Sequence, residues 1–361
     1  MKNGWTTKRL GDVCKIDKAQ GVNRNLPYVG LEHIESNTAK FVGSTDPQVV
    51  KSSTFKFSPE HVLYGRLRPY LNKVLVPNFE GHCSTEIFPL KPGPQLTREY
   101  LHYWFLVDAT TERINSTCTG ARMPRADMNE VLEFDFPLPP LPEQRRIVGI
   151  LDEAFDGIAT AKANAEKNLQ NARGLFESHL QAVDGPKVAL GELINITTGK
   201  LDANAAVVGG QYAFFTCSRD VYSIDHFAFD CEAILLAGNN AVGDFNVKHF
   251  SGKFNAYQRT YVITVNEQGR VLYRFLYFQM LKSLKMFKEQ SVGVGTKFLK
   301  LGMIKGLQIA LPELSEQQQI VSSVDELLEE TERLAVIYQQ KLTALDALKK
   351  SLLHQAFSGQ L

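Results

Sequence analysis

Two long stretches of the chain place apolar residues in alternating steps of three and four. The first runs over about 142–183, with Leu151, Ala154, Ile158, Ala161, Ala165, Asn168, Ala172, Leu175, His179 and Ala182 on one seam. The second runs over about 315–357, with Val324, Leu327, Thr331, Leu334, Tyr338, Lys341, Leu345, Leu348, Leu352 and Gln355. That period, held for that length, predicts two helices of coiled-coil type. Pro142 suits a first helical turn, where its missing N–H is not needed. Ser315 with Gln318 fits a capping box. Asp184-Gly185-Pro186 and Ser358-Gly359 supply the stops. One seam is Ala-rich and the other bulky, so the two are expected to pair with each other. Asn168 and Lys341 fall at the same register. They form either a register-fixing polar layer or a stutter from which both side chains reach water.

The regions outside these helices have a different texture, rich in Gly, Pro, Phe and Tyr. Residues 74–76 and the β-branched, alternating run 259–265 predict strands, and 100–107 and 272–284 predict short helices. The longest apolar runs, such as 233–237, are far too short to span a bilayer.

The pattern occurs twice. Leu141-Pro142-Glu143-Gln144-Arg145-Arg146-Ile147-Val148 returns as Leu314-Ser315-Glu316-Gln317-Gln318-Gln319-Ile320-Val321, an offset of 173. Seven of the thirteen positions 141–153 are identical at that offset. It also pairs Leu138-Pro139 with Leu311-Pro312, Gly120 with Gly293, Gly65 with Gly238, and Leu175 with Leu348. Near the start, Leu10-Gly11 pairs with Leu190-Gly191 at an offset of 180. The chain is thus one unit used twice, a mixed head followed by a long helix. The segments are 1–141, 142–186, 187–314 and 315–361. At 1.5 Å per residue, roughly 42 residues would separate the heads by roughly 60 Å. The second helix, if it packs on the first, must run back antiparallel. The fold class expected is α+β: two related heads separated by two antiparallel coiled-coil helices, with pseudo-two-fold symmetry.

The net charge of the 361-residue chain is +1, which at first argues against a nucleic-acid partner. Divided at the repeat boundaries, it changes meaning. The heads hold 17 Lys and Arg against 15 Asp and Glu, and 14 against 10. The helices hold 5 against 7, and 4 against 7. Mildly basic heads on acidic helices fit heads that touch an anion and helices that touch protein.

Catalytic signatures are not found. Val292-Gly293-Val294-Gly295-Thr296-Lys297 resembles a phosphate loop, but its spacing is wrong. No H-E-x-x-H, no G-x-S-x-G elbow and no aminomethyltransferase motif occurs. The eight His form no metal spacing, so no metal and no catalytic residue is assigned. The five cysteines form no C-x-x-C pair and are expected as free or buried thiols. The amino-terminal stretch lacks an apolar signal core, and a cytoplasmic protein without a membrane partner is expected.

At this point the chain resembles a known family, the specificity subunits of type I restriction–modification systems. The resemblance rests on Pro137-Leu138-Pro139-Pro140-Leu141-Pro142-Glu143-Gln144…Ile147-Val148 and its partner Leu311-Pro312-Glu313-Leu314-Ser315-Glu316-Gln317…Ile320-Val321. Each leads into a long helix, and the second ends in Gln355-Ala356-Phe357-Ser358-Gly359. The resemblance implies that each head is a target-recognition domain reading one half of a split, asymmetric sequence in double-stranded DNA. It implies that the helices set the gap and dock two methyltransferase subunits, and through them restriction/translocase subunits. S-adenosylmethionine and ATP with Mg²⁺ would then belong to those partners, and this chain would need no cofactor. Two other classes remain: a coiled-coil adaptor that binds only proteins, and an enzyme with an unrecognised site.

Loop-like segments that combine donors with Gly or aromatic residues are the candidate DNA contacts. Arg and Lys can bridge guanine, and Asn and Gln adenine. In the first head these are Arg66, Arg68, Tyr70 and Lys73, then Arg122 and Arg125 after Gly120. In the second they are Asn239, Asn240, Tyr257, Gln258 and Arg259, then Thr296 and Lys297 after Gly295. Lys297 and Arg125 are read as phosphate clamps, because positioning contacts outnumber base contacts. Lys297→Ala should therefore weaken binding to every DNA sequence alike and lower the salt slope by about one. A salt titration of binding checks this; a change of preferred sequence alone would contradict it.

Overall fold

The computed structural model describes residues 4–21, 25–120, 122–266 and 270–361. The triplet Met1-Lys2-Asn3 of the amino-terminal stretch that lacks a signal core lies outside them. The chain forms two compact units, Met1–Ala165 with Gln339–Leu361 and Glu166–Tyr338. The boundary cuts through the long helices rather than between head and helix. Each unit is therefore a head with one segment of each long helix.

In the first unit, Cys14–Ile16, Ile87–Pro92, Val62–Gly65 and Val74–Leu75 lie side by side in that order in one sheet. A second sheet orders Gln20–Gly21, Thr54–Phe57, Gly81–Ser84 and Tyr28–Val29. The head closes on itself where Thr6–Arg9 pairs antiparallel with Asp135–Leu138. The core is aromatic: Tyr64 stacks on Phe105 with ring centres 4.5 Å apart, and Trp104 meets Phe136 edge-on at 5.2 Å.

In the second unit a six-stranded sheet runs Ile194–Thr198, Thr260–Val265, Phe229–Ala237, Val247–Ala256, Tyr212–Phe215, Tyr222–Ile224. Its first four strands repeat the order of the first sheet above. The apolar run 233–237 is the buried part of a central strand, flanked on both sides by other strands. Lys187–Ala189 pairs with Gln308–Ala310 as the matching closure. The stretch expected as a short helix over 272–284 extends to Tyr273–Gln290, since its apolar residues Phe275, Leu276, Met280 and Phe287 keep one face in the core.

The long helices are Leu141–Gln181 and Leu314–Ser358. Pro142 sits in the first turn, as its missing N–H allows. Ser315 does not cap the second helix. The helix begins one residue earlier, and the amides of Glu316 and Gln317 donate to the Glu313 carbonyl, which leaves Ser315 inside the first turn. At the other end, Gly359 turns left-handed (φ 76°) and the Gln360 N–H donates back to Gln355 O at 2.9 Å.

Inside each unit the two helix segments run antiparallel. In the first, Arg146 Nη2 donates to Leu361 O at 2.8 Å, and Lys162 pairs with Asp346. In the second, His179 meets Ser323 at 3.2 Å, and Leu180 and Val324 share an apolar cluster with Phe278. Leu151, Ile158 and Ala165 are buried as expected, and Leu327, Leu334 and Leu345 are half-buried. Leu175 and Leu348 depart from the expected seam, at 60% and 47% exposed. The seam slips at one place in both copies. Asn168 and Lys341 are exposed, and Leu169 and Leu342 turn inward instead. A helix that keeps 3.6 residues per turn drifts off a strict heptad by about 20° per repeat. After the slip the inward positions are Leu169, Ala172, Phe176 and Leu180 in the first helix. The polar pair is therefore the stutter and not a buried layer.

The repeated motif is explained by its glutamine. Gln144 and Gln317 are both fully buried. Gln144 Nε2 donates to Gln95 O (2.8 Å) and Pro139 O (2.9 Å), while its Oε1 accepts the Thr97 N–H at 2.9 Å. Gln317 makes the same three bonds, to Arg270 O, Pro312 O and the Leu272 N–H, at 2.9, 2.9 and 3.0 Å. Thr97 and Leu272 are the N-cap residues of the head helices Arg98–Phe105 and Tyr273–Gln290. One side chain thus joins the long helix, the Pro-rich approach to it and the start of a head helix. The carboxylates eight residues on reinforce the joint. Asp152 accepts from the Tyr103 hydroxyl, and Asp325 accepts from Arg274 Nε at 2.8 Å.

Replacing Gln144 by Leu leaves one donor and two acceptors buried without partners, at about 1–3 kcal/mol each before relaxation. Gln144→Leu should lower the stability of the first unit by about 2–4 kcal/mol, and Gln317→Leu should do the same in the second. Denaturant unfolding with amide exchange resolved by unit measures both. A loss confined to one unit per variant is the expected result.

Candidate nucleic-acid interface

Each head has a cleft framed by the same backbone bonds. In the first head the Arg66 N–H donates to Glu86 O and the Ala126 N–H to Arg66 O, both at 2.9 Å. Thr119 and Arg125 close a hairpin with mutual bonds of 3.1 Å. In the second head the Gly238 N–H donates to Arg259 O and the Leu299 N–H to Gly238 O, again at 2.9 Å. Val292 and Phe298 close the matching hairpin at 3.2 and 2.8 Å. Gly120 and Gly293 turn these hairpins with φ of 90° and 119°, a conformation that side chains resist. The bonds also correct one sequence pairing. Gly238 corresponds to Arg66 and not to Gly65, so the offset slips by one residue along this strand.

The frame is shared and the side chains are not. The first cleft, about 250 Å³, is lined in part by Lys18, Arg66, Phe88, Thr119 and Arg125. The second, about 210 Å³, is lined by Thr198, Gly238, Gln258, Arg259, Tyr261, Phe298 and Leu299. In equivalent places stand Lys18 and Thr198, Arg66 and Gly238, Glu86 and Arg259, Phe88 and Tyr261, Arg125 and Phe298.

In the first cleft Glu86 binds two guanidinium groups. Arg66 Nε lies 3.1 Å from Oε2, and Arg125 brings Nε and Nη2 to Oε1 at 2.9 Å. Burial pushes the Glu86 carboxyl up, but the hydrogen bonds and charges of Arg125 and Arg66 outweigh it and hold the group below its ordinary value. Arg66 and Lys18 both approach the Phe88 ring, at 5.0 and 4.9 Å from its centre. In the second cleft the single guanidinium comes from the other side of the frame. Arg259 is exposed and lies 5.3 Å from the centre of the Phe298 ring.

The remaining candidates fall into three groups. Asn239 pairs with Phe298 and Asn240 with Lys297 in a short antiparallel ladder beside the second cleft. Thr296 and Lys297 are half-buried there. Asn240 Oδ1 is engaged in its own turn, accepting the Val242 and Asp244 amides at 2.9 and 3.2 Å, and Gln258 Nε2 donates to Asp202 at 2.6 Å. Arg68 and Arg122 are exposed on loops, and Tyr70, 53% exposed, lies in the short 3-10 helix Pro69–Leu71. Arg68 is left-handed (φ 51°), and its N–H donates to Pro124 O at 2.8 Å. Tyr257 is half-buried at a turn.

Lys73 is the exception. Its ammonium donates to Leu31 O and Ile34 O at 2.7 and 2.8 Å, so it holds the head together and is not presented to an anion. Lys18, Glu86, Phe88, Thr198, Tyr261 and Phe298 were not among the sequence candidates. The repeat itself carried their signal, because the offsets of 180 and 173 align them in pairs.

Among the described residues, no group of three or more His, Cys, Asp or Glu is placed to hold a metal, and no helix is long and apolar enough to cross a membrane. Cys14 and Cys83 are buried, and burial pushes the Cys14 thiol up to about 12.

Comparison with known proteins agrees with the duplicated architecture. Residues 2–170 and 184–340 match the type I restriction modification DNA specificity domain. The EcoDI specificity subunit of Escherichia coli is 42% identical over 179 residues, which is 50% of this chain and 39% of that protein. The StySPI specificity subunit of Salmonella potsdam is 21% identical over 419 aligned positions, covering 100% of this chain and 90% of that one. A chain from a solved structure of type I R-M complex assembly and conformational transition superposes with a TM-score of 0.81 at 20% identity, covering 100% of this chain and 99% of the other. The HsdS subunit of Thermoanaerobacter tengcongensis gives 0.63 at 19%, covering 100% and 98%. These two likenesses show the shared fold. With the specificity domain matched once in each half, the chain belongs to the family of type I restriction–modification DNA specificity proteins.

Proposed function

We propose that this chain is the DNA-reading subunit of a type I restriction–modification complex. Each head reads one half of a bipartite, asymmetric target in double-stranded DNA. The long helices set the gap between the halves. They also dock two methyltransferase subunits, and restriction/translocase subunits join through the assembled complex. The chain itself is non-catalytic in this reading. The methyltransferase subunits supply S-adenosylmethionine, and the translocase supplies ATP and Mg²⁺.

One observation carries the reading: the two clefts keep the same backbone bonds while exchanging side chains at five equivalent places. A purely structural cavity has no reason to keep its frame and change its lining. A pair of readers for two different half-sites does. The junction behind each head behaves in the opposite way. Its Leu-Pro-x-Leu approach and buried Gln occur with the same bonds in both copies. Exposed Lys18, Gln258 and Arg259 and half-buried Arg66, Asn239 and Asn240 around the clefts supply the donors that base edges and phosphates require.

Mapping methylated adenines in a host that carries this chain with its methyltransferase subunits tests the function. A single motif with two unlike halves is expected, and the absence of any bipartite motif overturns it. Insertion of four residues, about one helical turn, into either long helix should alter the gap and leave both halves unchanged; the same mapping reads that result. Lys73→Met serves as a contrast to Lys297→Ala. It should cost the first head about 1–3 kcal/mol of stability and leave the salt dependence of DNA binding as it was.

A further inference from the structure

The two arginines on Glu86 are not equivalent. Arg125 gives Nε and Nη2 to Glu86 and Nη1 to Met123 O at 3.3 Å. Those bonds close the hairpin onto the sheet, so Arg125 is a structural staple. Arg66 gives Glu86 only its Nε. Among the described residues its two terminal amino groups have no hydrogen-bond partner, and its side chain is 32% exposed. The Phe88 ring, 5.0 Å from Arg66 Cζ, helps fix the plane of the group.

We propose that Arg66 is the guanine-reading residue of the first head: Glu86 anchors it through Nε, Phe88 sets its plane, and the free terminal pair bridges guanine O6 and N7. This deepens the DNA-reading function above and rests on it. The Arg fork matches the two acceptors that guanine shows in the major groove, and no other base presents that pair. Anchoring the Nε edge removes the rotamer freedom that a long side chain would otherwise lose on binding. The triad also keeps one unbalanced positive charge, which favours the electronegative groove.

Gly238 replaces Arg66 in the second head, and Arg259 replaces Glu86. The second head has no counterpart of this device, and the two half-sites should not share this guanine.

The test selects double-stranded DNA from a randomised library with the whole complex, using this chain as wild type, Arg66→Gln and Glu86→Gln. Wild type should require guanine at one position of one half-site. Arg66→Gln should cut that preference by about tenfold or more, while the other half-site and the salt slope stay the same. Glu86→Gln should weaken the same preference less, by loosening the anchor. Arg66→Gln leaves the Arg125–Glu86 staple in place, so it reports on reading even where Glu86→Gln unfolds the hairpin. An unchanged sequence preference in Arg66→Gln, or an equal loss for all sequences, overturns the assignment. A wild-type complex that selects no half-site overturns the DNA-reading function itself.

Discussion

One buried glutamine at the start of each long helix ties that helix to its head, and the carboxylate eight residues on reinforces the joint. A carboxamide can donate twice and accept twice, and its place at the helix start lets it satisfy three backbone groups that no helix or sheet bond reaches. Two of these lie in the connection before the head helix, and the third lies in the Pro-rich approach. Proline there serves the same end, because it removes donors that burial would leave unpaired. The joint is neutral, fully paired and buried, so it is rigid without a charge to desolvate. A glutamate in the same place could accept the Thr97 amide but could not donate to two carbonyls when ionised.

Rigidity at that joint is what makes the clefts useful. A reader must hold its donors to within a fraction of an ångström of the base edges it recognises. The first four strands of each head sheet, the closing strand pair and the hairpin after the head helices repeat in both copies, and so do the hydrogen bonds between them. Side chains at the cleft are then free to vary, because the backbone bonds that build the frame do not depend on them. The exception proves the constraint: a Cβ at Gly238 would sit 2.4 Å from Arg259 O in the second head. A side chain is accommodated there only in the first head, where the strand carries Arg66.

Much of this was legible in the sequence. The repeat, the long helices and the head that precedes each of them follow from spacing alone, and Leu151, Ile158 and Ala165 turn inward as that spacing requires. The outward turn of Leu175 and Leu348 was not legible, because a heptad template assumes 3.5 residues per turn and these helices slip at Asn168 and Lys341. The candidate site was half legible. Arg66, Arg125, Gln258 and Arg259 were found by residue type next to Gly and aromatic residues. A carboxylate such as Glu86 does not resemble a DNA contact in sequence, and a lysine such as Lys73 does. Only the three-dimensional bonds separate a cation that is offered from one that is used. The glycine pairing failed for a similar reason. A one-residue slip along a single strand is invisible to an alignment that matches glycine to glycine.

The net charge of +1 now has a physical meaning at the scale of the site. Binding to an anion depends on the charge within about a Debye length of it, roughly 10 Å at ordinary ionic strength, and not on the sum over the chain. In the first cleft Arg66 and Arg125 bind Glu86, Lys18 lies over the Phe88 ring, and Asp127 is engaged in capping the helix Met128–Leu132. In the second, Arg259 is the cleft's cation, and Lys297 stands beside it on the hairpin. Glu86 lowers the local charge of the first cleft, and that is a cost in raw attraction. It is offset in direction: an arginine tethered at Nε presents its fork one way, whereas a free one samples many. The first head thus exchanges some sequence-independent affinity for discrimination. The second, with an untethered Arg259 against an aromatic ring, is built with less geometric constraint.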